Sequence, residues 1–432
     1  MMCKRLFILT LLISLLTGVS SFADPVGIFE DTVDIDTVGI GSILYDAAAD
    51  EYLITASGAD VWGNSDQFHY AYNTVNGDVR ISASFQWVAA SNDWAKYGVM
   101  LRESLAGNSV HRYMADRRLL DYAGEQGRTE TGGGSGEWGS AWTGGAQALG
   151  IQRVTVDGLT IIEALADFGN GWESRRLELV LNGNLDGEIL AGVAVTSHDN
   201  NILAQARAWN VAYEENPSLV GKFSLVTVPA SADLGVCPSE TPGFSIRALK
   251  PLVTDGWGTD AMNQLLDTGM YMGLPAMPGS EGTRIDEFVN LRDTGNGVFS
   301  EANGYPDAAF PGIDPVEVPA QDPAAGDDDN QFAVEVLGYI QLTAGNHFIG
   351  SSHDDGVWVE VGGVEVGVNA SWGGPHDFLF KVEADGCYDL KVRYLEGSGG
   401  ANLELHEVLA DGTRILLNDV ANGGSAVFAP AP

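Results

Sequence analysis

The sequence predicts an all-β protein made of two β-sandwich domains, and three observations carry that prediction. First, short segments that alternate apolar and polar residues, or are apolar throughout, recur along the chain: EYLITASG, DVRISASFQWV, KYGVMLRES, ILAGVAVTSH, FAVEVLGYIQL, NHFIGSS, DGVWVEVGG, CYDLKVRYLE and ANLELHEVL. Second, each is bounded by Gly, Asn, Asp or Pro, the residues of tight turns, and 55 glycines supply such turns throughout. Third, helical periodicity is scarce, with TDAMNQLLDTGM (residues 259–270) the best short helix. Regularly spaced strands without intervening helices stack as sandwiches rather than as a parallel sheet.

In chain order, residues 1–23 read as an export signal. Lys4 and Arg5 form a basic start, residues 6–16 are almost unbroken apolar, and Ser21-Phe22-Ala23 places small residues at the cleavage positions. The run is too short to span a bilayer as a helix. Cleavage after Ala23 fits the usual pattern; retention as an uncleaved anchor is the alternative. Cys3 precedes the apolar run, so it is not a lipid-attachment cysteine. No second apolar stretch of spanning length follows, and the expectation is a secreted or cell-surface protein with no stable membrane insertion after signal cleavage.

About 410 residues remain, the length of two or three domains. Acidic residues outnumber basic ones by 59 to 22. That imbalance argues against nucleic acid, whose phosphates require Lys and Arg, and against docking on anionic lipid. It favours solubility and attracts divalent cations; a salty habitat explains it equally well. The segment VPASADLGVCPSETPG, from residue 228, has three prolines and no strand pattern. It reads as a linker over 228–242, dividing a first domain (24–227) from a second (243–432). A further irregular stretch at 304–330 carries five prolines. It is long for a loop and reads as an ordered cover over a sheet edge, as part of a binding rim, or as plain disorder. With Cys3 removed, Cys237 and Cys387 form an even pair in an oxidising compartment, which suggests one disulfide. Two buried thiols are the alternative, and neither cysteine lies in a metal-type spacing.

In the first domain, GSILYDAAADEYLITASGADVWGNSDQFHYAY, GDVRISASFQW, DWAKYGVMLRESL and AGVAVTSHDNN occur in an order and spacing that resemble the concanavalin-A-like lectin/glucanase superfamily over residues 26–213. The resemblance implies a two-sheet jelly roll, with glycan binding or plain scaffolding as its role. The glycine-rich stretch RRLLDYAGEQGRTETGGGSGEWG departs from the family's more regular strand. Retaining glucanases of this fold carry Glu-x-Asp-x-x-Glu on one strand, which sets two carboxylates on one face about 5 Å apart. Here Glu-x-Asp occurs at Glu383 and Asp385, in the other domain, and position 388 is Tyr. No catalysis by this route is expected. Trp138 and Trp142 flank glycines in an apparent loop and are candidate sugar-stacking platforms, since an indole face is flat and apolar; folding back over the core edge is the alternative. Asp66, His69 and Tyr70 read either as groove-lining groups or as hydrogen-bonded residues of a sheet. His198 and Asp199 read as a strand-end turn, and Arg102 with Glu103 as a strand-borne ion pair.

In the second domain, FAVEVLGYIQLTAGNHFIGSSHDDGVWVEVGGVEVG followed by GCYDLKVRYLEGSGGANLEL resembles the protective-antigen-type (PA-fourteen) domain, with residues 243–330 as its variable front. The resemblance implies a β-sandwich used by adhesins, in whose lectin members paired aspartates bind Ca²⁺ and calcium holds sugar hydroxyls. Asp354 and Asp355 are then the expected metal ligands. Calcium takes six to eight oxygens, so a second loop must contribute; in EGSGGAN, Asn402 is the obvious amide among glycines. Trp372 is the candidate stacking platform beside the site, and Asp327, Asp328 and Asp329 are possible extra carboxylates or a solvated acidic loop. Without metal, the aspartate pair would cap strand ends by accepting backbone N–H bonds. The expected function is non-catalytic, calcium-assisted binding of a polysaccharide or other glycan. A structural spacer without glycan binding and an accessory piece of a polysaccharide-degrading system are the alternatives.

Overall fold

The computed structural model describes residues 25–37, 40–90, 92–118, 122–143, 145–180, 184–277, 282–292, 298–299, 304–313, 331–371, 373–398, 400–409 and 412–430. The chain divides into two compact units, one ending at Phe223 and the other beginning at Ser224. Both are β-sandwiches, as expected, and their strands pair almost entirely antiparallel. Among the described residues no helix is long and apolar enough to cross a membrane.

The first unit stacks two seven-stranded sheets. One runs, in spatial order, Asp31–Ile35, Phe68–Asn76, Glu188–Thr196, Lys96–Arg102, His111–Arg117, Tyr122–Arg128 and Gly136–Thr143. The other runs Trp172–Leu179, Leu159–Asp167, Ala148–Val156, Val79–Ala89, Asp199–Glu215, Glu51–Gly58 and Ser42–Asp46. Period-two alternation decides which side chains enter the core. In Glu51–Gly58, Tyr52, Ile54 and Ala56 are buried and join Val99, Leu101, Met114, Ile151 and Val193 between the sheets. A second apolar layer lies on the other face of the first sheet, where Tyr70, Met100 and Tyr113 pack with Val61 from a short hairpin at Val61–Asp66. Gly58 makes that hairpin possible. Its φ is +129°, and a Cβ there would stand 2.0 Å from the Gln67 carbonyl oxygen.

The glycine-rich stretch after residue 117 forms two paired strands, Tyr122–Arg128 and Gly136–Thr143, rather than an extended loop. Trp138 and Trp142 therefore sit in a strand, opposite Glu125 and Ala123. The expected Arg102–Glu103 pair does not form. Neighbours in a strand point to opposite faces, so Arg102 turns to Asp66, at 2.8 Å, while Glu103 accepts the backbone N–H of Leu185.

The second unit also has two large sheets. One orders Val226–Val228, Gly373–Val382, Gly345–His353, Asn402–Val408 and Asn290–Arg292. The other orders Gly282–Asp286, Phe244–Leu249, Phe332–Leu342, Gly386–Glu396, Gly356–Val361 and Val364–Asn369. Val334, Val336, Ile349, Val359, Phe380, Val392, Leu403 and Leu405 fill the space between them. The helix spans Thr259–Thr268, stops at Gly269 in the left-handed region, and covers Leu249, Ala333 and Trp358 with Met262, Leu265 and Leu266.

The segment read as a linker is part of this unit. Val226–Val228 pairs in parallel with Phe380–Val382, Asp233 accepts the Cys387 N–H, and a disulfide joins Cys237 to Cys387. Prolines there interrupt a strand pattern without preventing the backbone from docking along a sheet edge. Of the proline-rich stretch, 304–313 is packed in place, with Phe310 and Ile313 buried in the core. Residues 314–330, including Asp327, Asp328 and Asp329, lie outside the described residues.

Candidate functional site

Asp354 and Asp355 follow the strand Gly345–His353 and precede Gly356–Val361. Strand pairing brings the glycine-rich loop to them, because Gly386–Glu396 lies beside Gly356–Val361 and Asn402–Val408 lies beside Gly345–His353. The loop joining those two partners must therefore face the aspartates. The Asp354 N–H donates to the Asn402 carbonyl at 3.1 Å. Asp355, at φ +65°, accepts the N–H groups of Gly397 (2.6 Å) and Ser398 (3.2 Å) on one carboxylate oxygen. Its own N–H donates to the Asp354 carboxylate at 3.2 Å. Capping by backbone amides is thus present, on Asp355. Asn402 is buried beside Asp354, and its Nδ2 has no hydrogen-bond partner. The structure brings Asp354, Asp355 and Asn402 together; Trp372 lies outside the described residues.

A third acid joins them that sequence inspection missed. Glu396, wholly buried at the end of its strand, accepts the Tyr394 hydroxyl at 2.5 Å. Burial, with the charges of Asp355 and Asp354 added, pushes its carboxyl up to about 9, so it carries its proton at neutral pH. Asp354 is also raised, by burial and by Asp355. No basic side chain contributes to either shift. Among the described residues the site offers oxygen donors without a basic side chain beside them, a donor set that would suit a hard divalent ion. Among the described residues, no three His, Cys, Asp or Glu side chains converge as a ready-made metal cage. Calcium would therefore need backbone carbonyls, the Asn402 amide and water alongside the two aspartates.

The buried charge cluster around Asp66 is closed off. In the first unit Asp66, wholly buried, accepts from Arg102 and Arg128 at 2.8 Å, and both guanidiniums also donate to loop carbonyls of Ser104, Gly133, Ser109 and Gly63. Those cations keep the Asp66 carboxyl below its ordinary value although burial opposes them. His111, against the same group, is driven down to about 3 by burial. His69 is buried, with Nδ1 2.9 Å from Asp34, and Tyr70 donates to backbone carbonyls. Asp66, His69 and Tyr70 are thus sheet-interior groups rather than a groove. His198 makes its strand-end turn at φ +56° and reaches Asp60 at 3.3 Å. Glu383 and Asp385 accept the N–H groups of Ala230 and Ala344, a structural use.

The side chains of Trp138 and Trp142 lie outside the described residues; two other indoles of the first unit are exposed. Trp62 and Trp94 are 40% and 49% exposed. Their rings stand 5.5 Å from the Lys96 ammonium and 5.6 Å from the Arg117 guanidinium. Lys96 and Arg117 are cross-strand partners on one face of the sheet. Lys96 pairs with Asp60 at 2.6 Å and Arg117 with Glu137 at 2.8 Å. The result is two cation-backed indoles above an electroneutral polar floor. Trp62 lies in DVWGN and Trp94 in SNDWA; each sits among turn residues, and that was the available signal.

No known sequence family matches the chain, and no curated protein matches it. Among solved structures, similarity is found to a PA14 sugar-binding domain from an RTX adhesin, at 14% identity over 41% of this chain and 95% of that one, with a TM-score of 0.28. It is also found to the epithelial adhesin 9 A domain from Candida glabrata in complex with Galβ1-3GlcNAc, at 12% identity over 48% and 94%, TM-score 0.28. A family 7 alginate lyase in complex with product matches at 10% identity over 41% and 86%, TM-score 0.28. At these identities and TM-scores the likenesses carry no functional argument, and the site is read from its own residues.

Proposed function

We propose that this chain is an exported, non-catalytic carbohydrate-binding protein in which Asp354, Asp355 and Asn402 hold a calcium ion that engages sugar hydroxyls. The observation that supports the reading is the acid group at one end of the second unit: two aspartates and a protonated Glu396, with the buried Asn402 side chain beside them. Calcium, when bound, cancels the carboxylate repulsion and keeps coordination positions for hydroxyl oxygens. Asp355 holds the glycine loop in place through its two amides, and Asp354 presents its carboxyl next to Asn402. Glu396, neutral and fixed by Tyr394, adds bulk and a polar wall without adding charge. In the first unit, the free faces of Trp62 and Trp94 suit the apolar faces of sugar rings, which supports a glycan contact that needs no metal.

The test is a glycan array on the full chain, with calcium and with chelator. Calcium-dependent retention, abolished by Asp354→Asn and Asp355→Asn, is expected. Absence of glycan retention under both conditions would leave a structural spacer as the better reading.

A further inference from the structure

The residue just before the aspartate pair, His353, has a partner that the calcium reading does not use. His353 is 1% exposed and neither of its ring nitrogens has a hydrogen-bond partner. His376 stands beside it, half-buried, with its Nε2 buried and also without a partner. The two residues lie on neighbouring strands, Gly345–His353 and Gly373–Val382, where a bulge between Ser351 and His353 shifts the register. Their ring centres are 5.2 Å apart and the rings are inclined at 45°. A buried polar atom left unpaired is costly, and three imidazole nitrogens at this spot lack a well-formed hydrogen bond.

We propose that His353 and His376 form a binding site for a borderline divalent transition metal of the Zn²⁺, Cu²⁺ or Ni²⁺ class, separate from the calcium site. The spacing fits. With metal–nitrogen bonds of about 2.0–2.1 Å and a tetrahedral ligand angle, two imidazoles on one ion place their ring centres about 5 Å apart. Imidazole nitrogens select this class over calcium, which takes oxygen. A ligating histidine ordinarily fixes its second nitrogen against a carbonyl or another polar group. The side chain of Asn369 and the backbone of Ser351 and Ser371 are polar neighbours of the His353 ring. Water completes the coordination, since two side chains fill only part of the shell. The ion would cross-link the end of one strand to the start of its neighbour at the end of the sandwich that carries Asp354 and Asp355. No step of this depends on calcium or on glycan.

The experiment uses the untagged full chain, stripped with chelator and titrated with Cu²⁺ while its electron paramagnetic resonance spectrum is recorded. A tightly bound copper with imidazole-nitrogen hyperfine structure is expected, displaced by Zn²⁺ and not by Ca²⁺. His353→Ala and His376→Ala should each weaken binding by about tenfold or more, while His347→Ala should leave it unchanged, since the His347 Nε2 lies against the Thr343 carbonyl. If His353→Ala does not fold, His376→Ala and His376→Gln give the answer, because that ring is partly at the surface. The proposal is overturned by the lack of a nitrogen-ligated signal, or by an unchanged signal in the His376 variants. A signal abolished by Asp354→Asn would overturn it too, by placing the ion on the carboxylates, whereas calcium-dependent glycan retention is read separately.

Discussion

Asp66 in the first unit and Glu396 in the second are both wholly buried carboxyl groups, yet they ionise in opposite directions. Asp66 is met by two arginines whose remaining N–H groups are spent on loop carbonyls. Glu396 is met by a tyrosine hydroxyl and by two more acids. Burial alone does not distinguish a structural charge from a site; the identity of the neighbours does. A closed network serves the fold. An acid group with no cation among its described neighbours is the arrangement on which the calcium proposal rests.

The comparison breaks first at Asp66. Asp66→Ala would strand two buried guanidiniums, and the expected loss is about 3–5 kcal/mol of first-unit stability, read by denaturant unfolding. The pH dependence has a definite sign. The folded pKa of Asp66 lies below its unfolded value near 3.8, so its contribution is present above about pH 4 and falls away as the solution becomes more acidic. Asp66→Ala should flatten that acid limb; retention of the whole limb would mean that other carboxylates cause it.

Opening the Cys237–Cys387 disulfide, by Cys→Ser at either position, should cost the second unit about 2–5 kcal/mol, since it closes a long loop and pins the segment from Ser224 to the sheet. Calorimetry that resolves two transitions should show the shift in one of them only.

Glu396 sharpens the contrast. Its pKa is raised from 4.5 to about 9 on folding, so the folded state holds a proton that the unfolded state releases. Second-unit stability should therefore decline as pH rises from about 4.5 toward 9, with a slope of at most about 1.4 kcal/mol per pH unit. Glu396→Gln should remove that slope and change stability little at low pH. Calcium binding to the wild type should release protons near pH 8, measurable as a buffer-dependent heat. An unchanged slope in the Gln variant would show that Glu396 is not the group responsible.

The smallest expected effect is in the first unit. Trp62→Ala and Trp94→Ala should each weaken retention on a neutral polysaccharide gel in the presence of chelator by about tenfold, the scale of one aromatic contact of about 1–1.5 kcal/mol, with unfolding temperature unchanged. Equal retention of both variants would remove the indoles from the binding surface.

Much of the fold was legible because alternation is a local property. EYLITASG and FAVEVLGYIQL declare their buried faces without reference to any other segment, and TDAMNQLLDTGM became the helix Thr259–Thr268. The misreadings all concern what lies across space. VPASADLGVCPSETPG looked like a linker because its prolines break the strand pattern, while the contacts that dock it, Asp233 to the Cys387 N–H and the Cys237–Cys387 disulfide, end 150 positions beyond Cys237. Trp138 and Trp142 looked like loop residues because glycines on both sides mask a strand. Arg102 and Glu103 looked like a pair because they adjoin in sequence, while the strand sends them to opposite faces.

The sequence by itself determined the strand segments and the division into two sandwiches, because side-chain type and period-two spacing are written locally; it named Asp354, Asp355 and Asn402 as candidates through a family resemblance. Tertiary structure alone decided the electrostatics of that site. Glu396 lies forty-one residues after Asp355 and is drawn against it by the pairing of two strands. His376 reaches His353 in the same way, through a sheet register with a bulge. Coulomb interaction and desolvation depend on distance and burial, and those quantities exist only once the strands have paired.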